Sequence, residues 1–149
     1  MFRGVTHLNL DAKGRMAFPS RYRDRLEILC GGELVVTIDH ENPCLMVYPL
    51  SRWVEVEQRL SETGANRPQV RRLRRLLIGH AHELEVDNNG RVLLPSVLRE
   101  YAGLEKKVVL VGQVHRFELW DADNWQEATE AWLREAREED MDDLGDLVL

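Results

Sequence analysis

The chain has 149 residues, of which 44% are hydrophobic and 31% are charged, and its formal net charge is −6 at pH 7. These values are typical of one globular domain, or of two small halves that share a core. No apolar run approaches the roughly 18 residues that a membrane span needs, and the N-terminus lacks the apolar segment of a secretory signal, so we expect a cytoplasmic protein without a membrane partner.

The charges are distributed very unevenly along the chain. Residues 1–26 carry six basic and two acidic side chains, and residues 67–75 carry five arginines and no acid. Residues 118–149 carry 12 acidic side chains against two arginines, a net charge of −10. Because nucleic acid is bound by a local basic patch rather than by a basic average, the negative net charge does not exclude such a partner.

The sequence contains no recognisable catalytic or metal-binding pattern. Cys30 and Cys44 are separated by 13 residues, without the clustered ligands that zinc needs. Phosphate-binding and nucleophile motifs are also missing. Asp11 and Asp87 do not suggest an acid–base pair, because an aspartate beside a turn glycine usually bonds its own backbone. We therefore predict no enzyme, no metal, no cofactor and no small-molecule substrate.

The first elements predict a β-hairpin followed by a short helix. Residues 5–10 and 16–18 alternate as strands do, and residues 11–14 have the composition of a turn. Pro19 ends the second strand, and Ser20 is expected to cap the helix. In that helix Tyr22 and Leu26 share the inner face, whereas Arg21 and Arg25 share the outer one.

A second hairpin and a longer helix complete the first unit. Residues 33–38 and 45–48 predict the two strands, and Ser51 is expected to open the helix. A further helix over residues 66–78 carries an arginine cluster at positions 71, 72, 74 and 75. That cluster either contacts nucleic acid or pairs with the acidic C-terminal helix, and the sequence leaves both possibilities open.

The second half of the chain repeats the first. Between residues 8–24 and residues 84–100, seven of 17 positions are identical, where about one is expected by chance. The repeat predicts a short helix after Pro95-Ser96, with Leu98 and Ala102 at the inner-face spacing. It also predicts strands at residues 108–111 and 117–120 and a last helix capped by Asp123 with Gln126. Trp125, Ala128, Trp132 and Leu133 should face inward on that helix. We divide the chain into a first unit (1–63), a basic linking helix (64–79) and a second unit with an acidic, frayed tail (80–149), each unit burying the other's apolar face.

The repeated motif places one arginine beyond a turn glycine at the tip of each hairpin, as Arg15 and Arg91. A single such arginine is usually a solvated side chain or the partner of the turn aspartate. Duplication argues against that interpretation, because turn chemistry alone would not keep arginine in both copies. The planar guanidinium suits phosphate oxygens or a guanine edge.

These residues resemble the MraZ family of bacterial transcriptional regulators. The resemblance covers about residues 1–135, and the Asp-x-x-x-Arg motif of the family stands here as Asp11-Ala-Lys-Gly-Arg15 and Asp87-Asn-Asn-Gly-Arg91. It implies an α+β fold of two AbrB-like swapped-hairpin barrel units that share one core. It further implies sequence-specific binding of double-stranded DNA, assembly into a ring-like homo-oligomer, and control of the division and cell wall gene cluster that contains its own gene.

The resulting hypothesis is a nucleoid-associated regulator that binds short direct repeats upstream of its own gene. The alternative is a ring-forming scaffold that does not bind DNA specifically, which a weak response of affinity to salt would indicate. The candidate DNA-binding residues are Asp11, Lys13, Gly14, Arg15, Arg21, Arg23, Arg25, Asp87, Gly90, Arg91 and Arg99.

Overall fold

The structure is a computed structural model that describes all residues except 63, 65, 140–143, 146, 148 and 149. Of the eight residues after Met141, where a frayed acidic tail is predicted, five lie outside this described part. None of the described helices is both long enough and apolar enough to span a membrane.

The first unit contains four strands and two helices. They are β1 (Val5–Asn9), β2 (Arg15–Ala17), α1 (Ser20–Cys30), β3 (Glu33–Ile38), β4 (Leu45–Pro49) and α2 (Leu50–Glu62). The linking segment follows as α3 (Pro68–Leu73), continued by a π-helical turn (Arg74–Ile78). The second unit repeats the order with β5 (His82–Glu85), β6 (Arg91–Leu93), α4 (Ser96–Tyr101), β7 (Lys107–Gly112), β8 (Phe117–Asp121) and α5 (Ala122–Glu138).

The two units exchange their first strands. A six-stranded antiparallel sheet has the order β1-β7-β8-β4-β3-β5, and β2 pairs with β6 in a separate two-stranded sheet. The first strand of each unit therefore pairs with the second hairpin of the other unit, β1 with β7 and β5 with β3. This arrangement confirms the predicted α+β class and the duplicated swapped-hairpin architecture.

The predicted hairpin between residues 5–10 and 16–18 is wrong in its pairing. β1 lies in the large sheet and β2 in the small one, and only a single bridge between Leu10 and Met16 joins the two segments. The physical reason is that β1 finds a full-length antiparallel partner in β7, from Val5 opposite Val111 to Asn9 opposite Lys107. Sequence alternation identifies a strand but does not identify its partner.

One hydrophobic core is built from both units. Phe18, Tyr22 and Leu26 from the first unit and Leu98 and Phe117 from the second are buried in the same cluster. The inner faces of α1 and α4 are thus as predicted. On the opposite face of the large sheet, α2 covers a cluster around Trp53, and α5 covers one around Trp120.

The predicted helix caps were less accurate. Ser20, the expected cap of α1, is instead the first residue of that helix, and Pro19 occupies the cap position. Pro95 occupies the same position before α4, and neither helix has a side-chain cap. The aspartate that caps α5 is Asp121, whose carboxylate accepts from the Asn124 N–H at 3.1 Å, and not Asp123. The strand β8 runs to Asp121, so the helix starts directly after it and places the cap two residues earlier.

The inner face of α5 is also shorter than predicted. Trp125 and Ala128 pack against the cluster around Trp120, but Leu133 is 48% exposed and Trp132 is 40% exposed. The Trp132 ring still packs edge-on against the rings of Trp120 and Trp125, at centroid distances of 5.6 and 5.9 Å, so only Leu133 departs from the predicted inner face.

Candidate nucleic-acid interface

The first motif loop (residues 11–15) is held by the carboxylate of Asp11. Its Oδ1 accepts from the backbone N–H groups of Lys13 and Arg15, both at 2.9 Å. Its Oδ2 accepts from the Arg15 Nε at 3.0 Å. The Asp11 N–H donates to the Arg15 carbonyl, and the Gly14 N–H donates to the Asp11 carbonyl. The arginine at the end of the loop is therefore fixed in both backbone and side chain.

The second motif loop (residues 87–91) has the same backbone geometry. Asp87 Oδ1 accepts from the N–H groups of Asn89 at 2.8 Å and Arg91 at 2.9 Å. The backbone bonds between Asp87, Gly90 and Arg91 repeat those of the first loop. The Arg91 guanidinium, however, reaches across to the other loop, with its Nη1 4.0 Å from Asp11 Oδ2.

Two constraints favour glycine at the motif positions: a backbone conformation with positive φ and the close approach of a guanidinium from the other unit. Gly14 has φ = 85° and Gly90 has φ = 74°, a region that side chains other than glycine rarely adopt. A Cβ at Gly14 would lie 2.5 Å from the Arg99 Cζ, and a Cβ at Gly90 would collide with the Arg23 guanidinium. The glycines thus let each loop close over an arginine of the opposite unit.

Those two arginines are equivalent in the repeat and are partly buried. Arg23 Nε donates to the Phe18 carbonyl at 2.7 Å, and Arg99 Nε donates to the Leu94 carbonyl at 3.1 Å. Both are candidates for DNA binding when the sequence alone is considered. The structure places them beneath the motif loops, where they support the backbone that carries Arg15 and Arg91.

The two loops meet in the small sheet formed by β2 and β6, which we call the ribbon. Arg15 lies opposite Leu93, and Ala17 lies opposite Arg91. Met16 and Val92 point into the core with 1% and 2% exposure, so the other four side chains share the outer face because strand side chains alternate. Arg15 and Arg91 are therefore diagonal neighbours on one exposed surface.

The electrostatics of the loops keep both aspartates ionised. The backbone N–H of Arg15 is the main cause that lowers the pKa of Asp11, with the Arg15 side chain adding to it. The backbone N–H of Arg91 is the main cause that lowers the pKa of Asp87, and the positive charge of Arg15 contributes. Together with the 4.0 Å distance between Arg91 Nη1 and Asp11 Oδ2, this places charges of the two loops close to each other.

The remaining basic candidates of the first unit lie around the ribbon or on α1. Lys13 is exposed in the first motif loop. The Arg21 guanidinium donates to the Thr6 hydroxyl and lies 4.7 Å from the centre of the Tyr22 ring. Arg25 Nη1 donates to the Met1 carbonyl at 2.8 Å. Arg21 and Arg25 are exposed, as predicted for the outer face of α1.

The arginine cluster of the linking segment has a partly structural role. Arg74 donates to the Leu60 carbonyl at 2.6 Å and to the Ser61 carbonyl at 3.0 Å, so it satisfies the last turn of α2. Arg71 donates to the Asn66 carbonyl at 3.1 Å. Within the described part of the chain, no ion pair joins this cluster to α5. The sequence did not point to the contact of Arg74 with α2, because it depends on how two helices pack.

The described residues offer chemistry for anion recognition rather than for metal binding. No group of three or more histidine, cysteine, aspartate or glutamate side chains among them is arranged to hold a metal ion. The buried thiol of Cys44 has its pKa raised by burial, which makes it a poor nucleophile. By contrast, the ribbon presents two guanidinium groups on one face, which suit phosphate or base-edge acceptors.

Comparisons with known proteins agree with this duplicated arrangement. The chain matches the model of a family described as "MraZ protein, putative antitoxin-like" twice, over residues 1–76 and 77–146. It is 66% identical over 150 residues to a protein of Alkalilimnicola ehrlichii named transcriptional regulator MraZ, with 100% of both chains covered. A protein of the same name from Halorhodospira halophila is 57% identical, with 99% of this chain and 97% of that protein covered. Another from Pseudomonas aeruginosa is 52% identical, with 100% of both chains covered.

Proposed function

This chain belongs to the MraZ family, and from that premise we propose that it is a DNA-binding transcriptional regulator that recognises a specific sequence. Its target is double-stranded DNA upstream of its own gene, in the division and cell wall gene cluster. The protein acts on the nucleoid in the cytoplasm.

The observation that carries this proposal is the convergence of Arg15 and Arg91 on the outer face of the ribbon. The major groove of B-DNA admits a two-stranded β-ribbon. An arginine that enters the groove from such a ribbon can bind the O6 and N7 acceptors of guanine with both arms of its guanidinium. Two arginines held at a fixed diagonal spacing would read two nearby positions at once.

The other candidates divide into two groups by their contacts. Lys13 is exposed in the first motif loop, and Arg21 and Arg25 are exposed on α1; these three would bind phosphates, which positions the protein on the duplex. The second group shapes the loops and supports the two reading arginines from behind. Its members are Asp11, Asp87, Gly14, Gly90, Arg23 and Arg99.

One copy of the ribbon is too small for a stable specific complex. Specific protein–DNA interfaces bury about 1,000–2,500 Å² of protein surface, far more than four ribbon side chains provide. Several copies must therefore bind together, and a ring with head-to-tail contacts would present each ribbon in the same direction. We infer an operator of direct repeats spaced by about one helical turn, near 10 base pairs.

The first experiment is a footprint of the purified protein on DNA from upstream of its own gene, at physiological salt. A protected set of direct repeats is expected, and a five-base-pair insertion between two repeats should cut the affinity severely while a ten-base-pair insertion restores most of it. A single protected inverted repeat would contradict the direct-repeat operator. Assembly without any sequence preference, together with an affinity that is indifferent to salt, would favour the scaffold alternative.

The second experiment removes the reading arginine. Arg15→Ala should weaken operator binding by about 1–3 kcal/mol for each guanine that this arginine no longer binds, amplified by the number of copies on the DNA. Arg59 is an exposed arginine on α2, on the sheet face opposite the ribbon, so Arg59→Ala is the matched control. Wild-type affinity in a correctly assembled Arg15→Ala protein would refute the role of the ribbon.

A further inference from the structure

We propose that Leu93 is a specificity-determining residue that contacts the C5 methyl group of a thymine next to the base read by Arg15. This inference rests on the proposed function of the ribbon and identifies a second kind of contact within it. It assigns a role to a side chain that lies in the repeated motif region but differs between the two copies.

The position of Leu93 follows from the strand register. It lies directly opposite Arg15 across the ribbon, at a separation where facing side chains are about 4.5–5.5 Å apart at their Cβ atoms. Its neighbour Val92 is buried, so Leu93 must point outward with the two arginines. A group that docks on Arg15 from outside therefore meets Leu93 at the same time.

Leu93 is unusually exposed for a large apolar residue, with 55% of its surface open to water. Core packing does not account for its presence, because it belongs to none of the hydrophobic clusters that the described residues form. It lines one shallow surface depression whose charged residues have both signs, namely Lys13, Arg99, Glu83 and Glu85. Across the ribbon it faces Arg15, so a DNA base edge that accepts from that guanidinium also meets an apolar side chain.

The major groove contains one apolar group that distinguishes a base, the C5 methyl of thymine. A leucine side chain projects beyond the backbone far enough to cover that methyl group while the neighbouring arginine binds a guanine edge. The equivalent position in the first unit is Ala17, opposite Arg91. Its single methyl group is shorter and offers a much smaller apolar surface.

The ribbon is therefore nearly symmetric in its backbone and asymmetric in its reading face. One end pairs Arg15 with Leu93, and the other pairs Arg91 with Ala17. A two-fold symmetric face would read an inverted repeat, but these two ends differ in apolar contact. Each repeat in the operator should then be non-palindromic, with the methyl-dependent position at one end only.

The test uses deoxyuridine, which keeps every hydrogen-bonding group of thymine and removes only the methyl group. Each thymine of one operator repeat is replaced in turn, and the dissociation constant of the full-length protein is measured by fluorescence anisotropy. At one position the wild type should lose about three- to five-fold in affinity, the value expected for one buried methyl group. Leu93→Ala should bind thymine and uracil equally at that position.

Val54 provides the matched control, because it is 54% exposed on α2 and lies away from the ribbon. Val54→Ala should keep the full sensitivity to uracil. The exchange variant Ala17→Leu/Leu93→Ala should move the sensitivity to a thymine at the opposite end of the repeat. That transfer would not occur if Leu93 only stabilised the fold.

Several outcomes would overturn the inference. One is a wild-type protein that binds the operator with the same affinity whichever thymine is replaced. Another is a Leu93→Ala protein that loses its assembly state while Val54→Ala keeps it, which would make Leu93 part of a contact between copies of the chain. If the wild type shows no sequence preference for DNA at all, the proposed function itself fails, and this inference fails with it.

Discussion

The two motif loops have the same backbone and different side chains. Asp11 and Asp87 each accept two backbone N–H bonds, at distances between 2.8 and 2.9 Å. In the first loop the aspartate also holds its own arginine, through the 3.0 Å bond from Arg15 Nε. In the second loop Arg91 leans toward Asp11 of the other unit instead.

The residues around the first loop are also more basic than those around the second. On α1 the outward positions include Arg21 and Arg25, whereas the equivalent positions on α4 are Val97 and Tyr101. Lys13 of the first loop is replaced by Asn89 in the second. The aspartate and glycine of the motif thus determine the shape of a loop, and the residues around them determine how strongly it attracts an anion. We expect the first loop to make the stronger contact.

The largest effect we predict comes from separating the two units. Residues 1–63 and residues 80–149 should each be unfolded or aggregated when produced alone. The reason is that β1 and β5 have their partners in the other unit, and the core contains Phe18 from one half and Phe117 from the other. The measurement is an NMR spectrum of each piece, which should lack dispersed amide signals.

Co-expression is the control for that experiment, because it supplies each strand with its partner. Residues 1–79 expressed together with residues 80–149 should give a folded complex, because the first piece then keeps the linking segment with Leu77, which is buried in the cluster around Trp53. Two sharp, dispersed spectra from the isolated pieces would contradict both the shared core and the division of the chain at these boundaries.

The next effect compares the two reading arginines. Arg91→Ala should weaken operator binding less than Arg15→Ala does, although in the same direction. The bond from Arg15 Nε to Asp11 holds that guanidinium in place before DNA arrives, which reduces the ordering cost of binding. The Arg91 guanidinium is 4.0 Å from its acidic neighbour and is less constrained. Titrations of both variants against the same operator provide the ranking, and equal reductions in affinity would show that the loops contribute alike.

Much of the fold could be predicted from the repeat and from hydrophobic alternation. The second hairpin of each unit, the inner faces of α1 and α4, and the shared core were all correct. These features depend on local periodicity and on apolar residues that need cover. The pairing of β1 with β7 could not be predicted, because alternation gives the faces of a strand but not its neighbour in a sheet.

The candidate site was predicted in part. Asp-x-x-Gly-Arg identifies the loop, since each residue type has a local chemical reason to be there. The position of Arg99 beneath Gly14, and of Arg23 beneath Gly90, was not foreseen. These pairs are 85 and 67 positions apart in the chain, and they meet only because the units are interleaved. The position of Leu93 opposite Arg15 was not foreseen for the same reason, because the two residues lie on different strands of the ribbon.

Substitution of the glycines tests that interleaving. Gly14→Ala and Gly90→Ala should each destabilise the protein by about 1–3 kcal/mol, the usual cost of a side chain in a strained backbone conformation, and the guanidinium below must also move. Gly31 has φ = 65° with nothing near its absent side chain, so Gly31→Ala is the control for backbone strain alone. Thermal unfolding should rank both motif variants below the control. If Gly31→Ala is equally destabilised, the contact with the opposite arginine has no energetic role.

The smallest effect we predict concerns the protonation of the two loops. Both aspartates have a pKa lowered from the ordinary 3.8 by the N–H groups they bind. A carboxyl whose pKa is lower in the folded state than in the unfolded state stabilises the loop at pH values above the unfolded-state pKa. That contribution is lost as the pH falls through the folded-state pKa. The loops should therefore loosen only below about pH 4. Carbon-detected NMR of the carboxyl groups measures both titrations directly.

Arg15→Ala should raise the pKa of Asp11 more than that of Asp87, because Asp11 loses a hydrogen bond and Asp87 loses only a neighbouring charge. Equal shifts would mean that the 3.0 Å bond between Arg15 and Asp11 does not persist in solution, and the predicted ranking of Arg15 above Arg91 would lose its physical basis.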